Sequence, residues 1–136
     1  RTVVTVLPIQ EDVHLLGGIC YIGTTGARLK LNTSLDNYIV SVEATIPADN
    51  RADHHFSDFL HSVYNSFDGP IKVVLLSGAM VYNLDGLRCI KEKNGQIIVQ
   101  PLASSMVPEQ LEKAIQAGLV DREADAEEII NQMRNC

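Results

Sequence analysis

The sequence predicts an α/β fold: a three-layer α/β/α arrangement around a mostly parallel sheet, with a β-hairpin-rich N-terminal part. Residues 71–76 (IKVVLL) form a nearly continuous apolar run, the mark of a strand covered on both faces in a parallel sheet. After it come apolar residues at helical spacing and a second short apolar run, the pattern of a βαβ unit. Residues 1–44 are rich in short β-branched stretches separated by brief connections, which reads as several strands close together.

Each element has its own reason. Residues 1–7 (RTVVTVL) are β-branched and predict a strand, as do residues 19–22 (ICYI) after Gly17-Gly18. Residues 24–26 predict a turn, residues 29–31 a half-exposed strand, and residues 38–44 (YIVSVEA) another strand. Beyond Pro47, Asp53 can cap a helix whose apolar stripe is Phe56, Phe59, Leu60 and Val63. Asp68-Gly69-Pro70 closes that unit. After residues 71–76, Leu84, Leu87 and Ile90 recur at helical spacing, and Asn94-Gly95 stops the helix. Residues 97–99 are the second buried strand. Pro108 suits the first turn of another helix, with Leu111 and Ile115 inward and Gly118 at its end. Asp125 and Glu128 predict a capping box for a last helix carrying Ile129, Ile130 and Met133.

Composition bounds the function. With 136 residues the chain reads as a single domain, residues 1–136. A net charge of −6 disfavours a nonspecific grip on nucleic acid or anionic lipid. The absence of Trp, with aromatics at only 5 %, argues against a base-stacking surface. No apolar run approaches the roughly 18–20 residues of a membrane span. Cys20, Cys89 and Cys136 form neither a metal spacing nor an even disulfide set, and read as reduced thiols of a cytoplasmic protein. The sequence starts at Arg1, already within a strand pattern, and reads as cut from a longer protein.

The turn after the most buried strand is the best site candidate, because ligands of open α/β sheets bind at the carboxyl ends of strands. Ser77, Gly78, Ala79, Met80, Tyr82 and Asn83 are its candidate binding residues. Gly78 allows close backbone approach, although the spacing is not that of a phosphate-binding loop. The plain alternative is an ordinary βα turn. His54, Asp58 and His61 share a helical face and could form a metal module, or simply a solvated face. Ser77, Ser104 and Ser105 have no His or acid fixed nearby in sequence, and Cys89 reads as a partly buried small residue. The acidic run Asp121, Glu123, Asp125, Glu127 and Glu128 suits the start of a helix. No residue is assigned a catalytic role, and no metal or cofactor is expected.

Several segments, in one order, carry a resemblance. VVLLSGAMVYNLDGLRCIKEKNG aligns without a gap, through Gly78, Gly86, Leu87 and Gly95, with a strand, a Thr-Gly-Met-Gly-x-Asp-Gly turn and a helix ending in Gly-Gly. VQPLASSM matches a following segment at Gln100, Ala103, Ser104 and Ser105. KAIQAGLVD (residues 113–121) and GGICYIGTTGARLKL (residues 17–31) match further pieces. Together these resemble the chemotaxis receptor protein-glutamate methylesterase family, in the C-terminal half of its catalytic domain.

The resemblance implies a serine hydrolase fold that removes methyl groups from receptor glutamate esters. It also shows departures. The family's nucleophilic Ser and its His belong to motifs that do not occur here. The family's catalytic Asp falls on Tyr82, the turn's Met on Ala79, the Gly after that Met on Met80, and the Gly-Met-Pro near the site on Glu109-Gln110-Leu111. Asp85 is a substitute acid only if three residues are inserted, which breaks the match at Leu87, Ile90 and Gly95. The expected function is a degenerate methylesterase-like domain, non-catalytic, binding a signalling or receptor protein in bacterial chemotaxis-type signalling. The alternative is the C-terminal part of an active methylesterase whose Ser and His lie upstream, with Asp85 or another residue as its acid.

Overall fold

The structure is a computed structural model that describes residues 4–23, 28–43, 55–77 and 83–134. The chain divides into two compact units, Arg1–Phe67 and Asp68–Cys136.

The first unit contains β1 (Thr5–Ile9), β2 (Val13–His14), β3 (Ile19–Gly23), β4 (Arg28–Ser34), β5 (Asn37–Glu43) and α1 (His55–Ser66). β1 and β3 pair in parallel, with Thr5 opposite Ile19 and Ile9 opposite Gly23. β2, β5 and β4 form an antiparallel sheet in that order. The expected hairpin is β4–β5, with Ser34 opposite Asn37. Its tip is Leu35, at φ 54. Ile9, Leu31 and Val40 are buried at the centre of this unit, and Phe59, Val63 and Phe67 pack on them. Among the described residues the first strand runs from Thr5 to Ile9, past the expected end at Leu7. It includes Pro8, tolerated on a strand that has a neighbour on one side only among the described residues. Residues 1–3, the turn expected at 24–26 and the cap expected at Asp53 lie outside the described residues.

α1 buries Leu60, as its spacing predicts, but also Ser57 and Ser62. For Ser62 the reason is the free edge of β4. Leu31, opposite Val40, turns its backbone groups away from β5 and towards the helix. Its N–H donates to Ser62 Oγ at 2.9 Å, and Ser66 Oγ donates to its carbonyl at 3.0 Å. Ser62 Oγ in turn donates to Phe59 O at 2.6 Å. Two serines one helical turn apart therefore serve both polar groups of one edge residue, as a further strand would, and close an edge open to foreign strands. Ser62→Ala should destabilise the protein by about 2 kcal/mol, because it strands a buried N–H. Ser66→Ala should cost about half as much, since an under-satisfied carbonyl is better tolerated. Urea unfolding with an unchanged slope would measure both; no loss in Ser62→Ala would refute the edge-capping role.

The second unit contains β6 (Lys72–Leu75), α2 (Asp85–Glu92), β7 (Gln96–Val99), a single 3₁₀ turn (Leu102–Ser104), α3 (Pro108–Gln116), β8 (Arg122–Glu123) and α4 (Ala126–Arg134). The sheet is parallel in the order β6–β7–β8, with Leu75 opposite Val99 and Val99 opposite Glu123. Ile98 packs with Ala124, Ile129 and Val74 on one face. Alternation sends Ile97 and Val99 to the other face. Three of the four residues of β7, Ile97, Ile98 and Val99, are fully buried, as are Leu87, Ile90, Leu111 and Ala114 on the helices. The strand covered on both faces is thus β7.

The helix ends carry the signals expected of them. Asn94 N–H donates to Lys91 O and Gly95 N–H to Ile90 O, with Asn94 left-handed at φ 59. This is a Schellman closure. α3 closes alike on Gly118, whose φ is 73. Asp125 Oδ1 accepts the Glu128 N–H at 2.9 Å, the N-cap half of the expected box.

Some expectations fail. Leu76 lies beyond the strand and is 52 % exposed. On α3 it is Ala114, not Ile115, that is fully buried. On α4 only Ile129 is buried; the two-residue β8 offers that helix little sheet to cover, and Ile130 and Met133 stay exposed.

Candidate functional site

The site is built where β6 and β7 end. Gln100 continues the ladder, its N–H donating to Leu75 O at 3.1 Å. Its side chain then ties two segments together. Oε1 accepts the Ser77 N–H at 2.7 Å. Nε2 donates to Ser104 O at 2.8 Å and to Ser104 Oγ at 3.1 Å. A second tie runs alongside, from Met106 N–H to Ser77 Oγ at 2.9 Å. Ser77, at the exit of β6, and the loop leaving β7 are therefore held together.

Of the sequence-predicted residues, Ser77 and Asn83 are described. Gly78, Ala79, Met80 and Tyr82 lie outside the described residues. Asn83 Oδ1 accepts the Asp85 N–H at 2.9 Å, an Asx turn that leads into α2. Asp85 itself sits in the first turn of α2 with its side chain 65 % exposed and paired to Arg88 at 3.1 Å. Gly86 is buried, Leu87 is fully buried, and Gly95 is packed against Ile90. Three of the four positions that carry the alignment, Gly86, Leu87 and Gly95, are thus also ones that packing fixes; Gly78 lies outside the described residues.

Ser77 and Ser104 act as braces. Ser77 Oγ accepts a backbone N–H, and Ser104 Oγ donates to Pro101 O at 3.0 Å. Ser105 Oγ is buried without a hydrogen-bond partner among the described residues. Cys89 is half-buried; burial, then the nearby Glu92 and Asp85, pushes its thiol above the ordinary value. A raised thiol holds less thiolate and is a poorer nucleophile.

In the first unit, Asp58 and His61 line an open groove of about 290 Å³ together with Arg28, Lys30 and Glu43. Arg28 Nη2 donates to Asp58 Oδ2 at 3.2 Å, and its Nε lies 3.6 Å from Glu43. A guanidinium between two carboxylates offsets the charge a cation would need. His54 lies outside the described residues. Among the described residues no group of three or more His, Cys, Asp or Glu side chains is placed to hold a metal ion.

Asp121, expected as part of an acidic helix start, does something else. Its Oδ1 accepts from Lys91 Nζ at 2.6 Å and its Oδ2 from the Ile97 N–H at 2.7 Å. The hydrogen bond from Lys91, then that from Ile97, holds this carboxyl below its ordinary value. It is a structural staple at the amino end of β7.

Gln100 is the residue whose role sequence reasoning missed. Its local signal is slight: a polar side chain directly after a buried strand and before Pro101.

The chain matches the family model of the CheB methylesterase over residues 1–133. It is 25 % identical over 132 residues to the protein-glutamate methylesterase/protein-glutamine glutaminase 2 of Nitratidesulfovibrio vulgaris, covering 97 % of this chain and 36 % of that protein. The crystal structure of the Thermotoga maritima CheB methylesterase catalytic domain superposes with a TM-score of 0.65 at 17 % identity, covering 90 % of this chain and 65 % of that one. That likeness is one of fold. The chain spans about a third of the curated relative's length and just under two thirds of the solved domain. Among the described residues no helix is long and apolar enough to cross a membrane.

Proposed function

This chain belongs to the CheB methylesterase family, and from that premise we propose that it works by binding a protein partner in chemotaxis-type signalling rather than by hydrolysing esters. The observation that carries this reading is register. Gly86, Leu87 and Gly95 are each held by packing, which supports the gapless register of α2 against the family's helix. In that register the family's acid falls on Tyr82. A phenol with a pKa of about 10 cannot steady an imidazole as a carboxylate does. Asp85, the nearest substitute, is exposed and paired with Arg88 on the surface of α2.

Tyr82 suits contact instead of catalysis, since tyrosine offers large rigid area with a polar tip. The reading places the domain in the cytoplasm, acting on a signalling or receptor protein without metal or cofactor. The full-length gene product, with whatever precedes Arg1, should release methanol from methylated receptor at a rate lower by about 10⁴ than a working family enzyme, the scale of a lost triad acid. Turnover at the ordinary rate would overturn the reading. The competing reading, an active hydrolase, takes its support from the name of the Nitratidesulfovibrio relative; it requires such turnover, and requires Asp85→Ala to abolish it if Asp85 is the acid.

A further inference from the structure

We propose that the carboxyl end of the β6–β7–β8 sheet is a docking surface for a protein segment that combines apolar side chains with lysine or arginine. This rests on the binding reading above and names the chemistry of its partner.

The surface has an apolar centre. Met106 is 92 % exposed, Leu76 52 % and Val107 41 %. Apolar side chains exposed singly are ordinary, but these three are brought together. Met106 N–H is bonded to Ser77 Oγ, next to Leu76, and Gln100 grips both Ser77 and Ser104. The backbone beneath Met106 is thus fixed while its thioether stands in solvent. A flexible, polarisable side chain on an ordered base can fit an apolar partner surface, and little loop ordering is left for the binding step.

The rim is negative. Glu109 lies in the first turn of α3, two residues after Val107, and Glu123 ends β8 beside Val99; both are exposed. A helix dipole accounts for Glu109, but Glu123 is in a strand. Of the arginines nearby, Arg88 is paired with Asp85 at 3.1 Å and Arg122 lies 4.0 Å from Glu128. Lys72, Lys91 and Lys93 lie at the opposite, amino end of the strands. Like-charge repulsion disfavours nucleic acid or an anionic membrane on this end, and the complementary partner surface is apolar with a basic rim.

The test uses the full chain with ¹³C-labelled methionine methyls. The probes are two synthetic helical peptides with the same leucine stripe, one flanked by lysine and arginine, the other by glutamate. Met133, exposed on α4, is the internal control. The basic peptide should shift the Met106 methyl and leave Met133 in place, and the glutamate peptide should shift neither. The double variant Glu109→Lys, Glu123→Lys should reverse that preference. Gln100→Ala, with helix content checked by circular dichroism, should weaken binding about fivefold by loosening the loops. Equal response to both peptides, movement of Met133 with Met106, or no shift at all would overturn the proposal. The two tests fail separately: ester turnover with a selective Met106 shift removes only the non-catalytic reading, and no turnover with no shift removes only the docking chemistry.

Discussion

Gly95→Ala is expected to destabilise the protein by about 3 kcal/mol, the upper end of the usual cost of overpacking. A Cβ at this position would overlap Ile90 Cγ2, come within 2.8 Å of Ile90 O and lie 3.4 Å from Ile71 O. None of these can give way cheaply. Ile90 is fully buried, and its carbonyl accepts from Lys93 N–H at 3.2 Å and from Gly95 N–H at 2.9 Å. Moving the Gly95 backbone outward would open that closure and pull on the start of β7, where Gln96 N–H donates to Ile71 O at 2.9 Å. The cause is space rather than dihedral angle, because the left-handed residue of this closure is Asn94. Asn94→Gly should therefore change stability by less than about 0.5 kcal/mol, since both residues tolerate that conformation. Urea midpoints of the two variants would separate the effects. A Gly95→Ala protein as stable as the parent would show that this close packing is absent.

The same stretch shows why much of the second unit could be read from sequence. β7 is buried on both faces, so its residues form a continuous apolar run, and helix ends that need unusual backbone angles carry Asn94 or Gly118. What could not be read depends on partners distant in sequence. Val13–His14 and Arg122–Glu123 are strands of two residues, too short for any periodicity, and exist only through pairing with β5 and β7. Ser62 counts as polar in any helical pattern, and nothing local reveals that Leu31 needs its hydroxyl. The apolar run from Ile71 to Leu76 gives no hint of where the ladder stops. Gln100 becomes recognisable as a clamp only once Ser77 and Ser104 are brought together, 23 and 4 residues away. The candidate turn is placed by an apolar run that forms β6, while the strand covered on both faces is β7; of that turn's candidate residues only Ser77 and Asn83 are described.

Asp121 should give the clearest pH signature in the molecule. Its carboxylate joins three elements: it accepts from Lys91 at the end of α2 and from the Ile97 N–H at the start of β7, while its own N–H donates to Ile97 O at 2.8 Å. Asp121→Ala leaves the N–H of a fully buried residue without its acceptor and should cost about 2 kcal/mol. Asp121→Asn keeps a neutral acceptor and should cost about half of that. The carboxyl is held below its ordinary value in the folded protein, so the unfolded chain takes up the proton first as pH falls. The stabilisation is therefore complete well above the unfolded value of about 4 and is lost as pH drops through the lowered folded value. The gap between parent and Asp121→Asn should be constant from neutral pH to about 5, then close on further acidification. The side chain is 35 % exposed and its partner Lys91 30 %, so salt should narrow the gap at neutral pH by screening the ion pair. The Ile97 bond, aligned and short, should survive that screening. A gap that is the same at pH 3 and pH 7 would show that the charge of Asp121 contributes nothing, and that only its shape holds the staple in place.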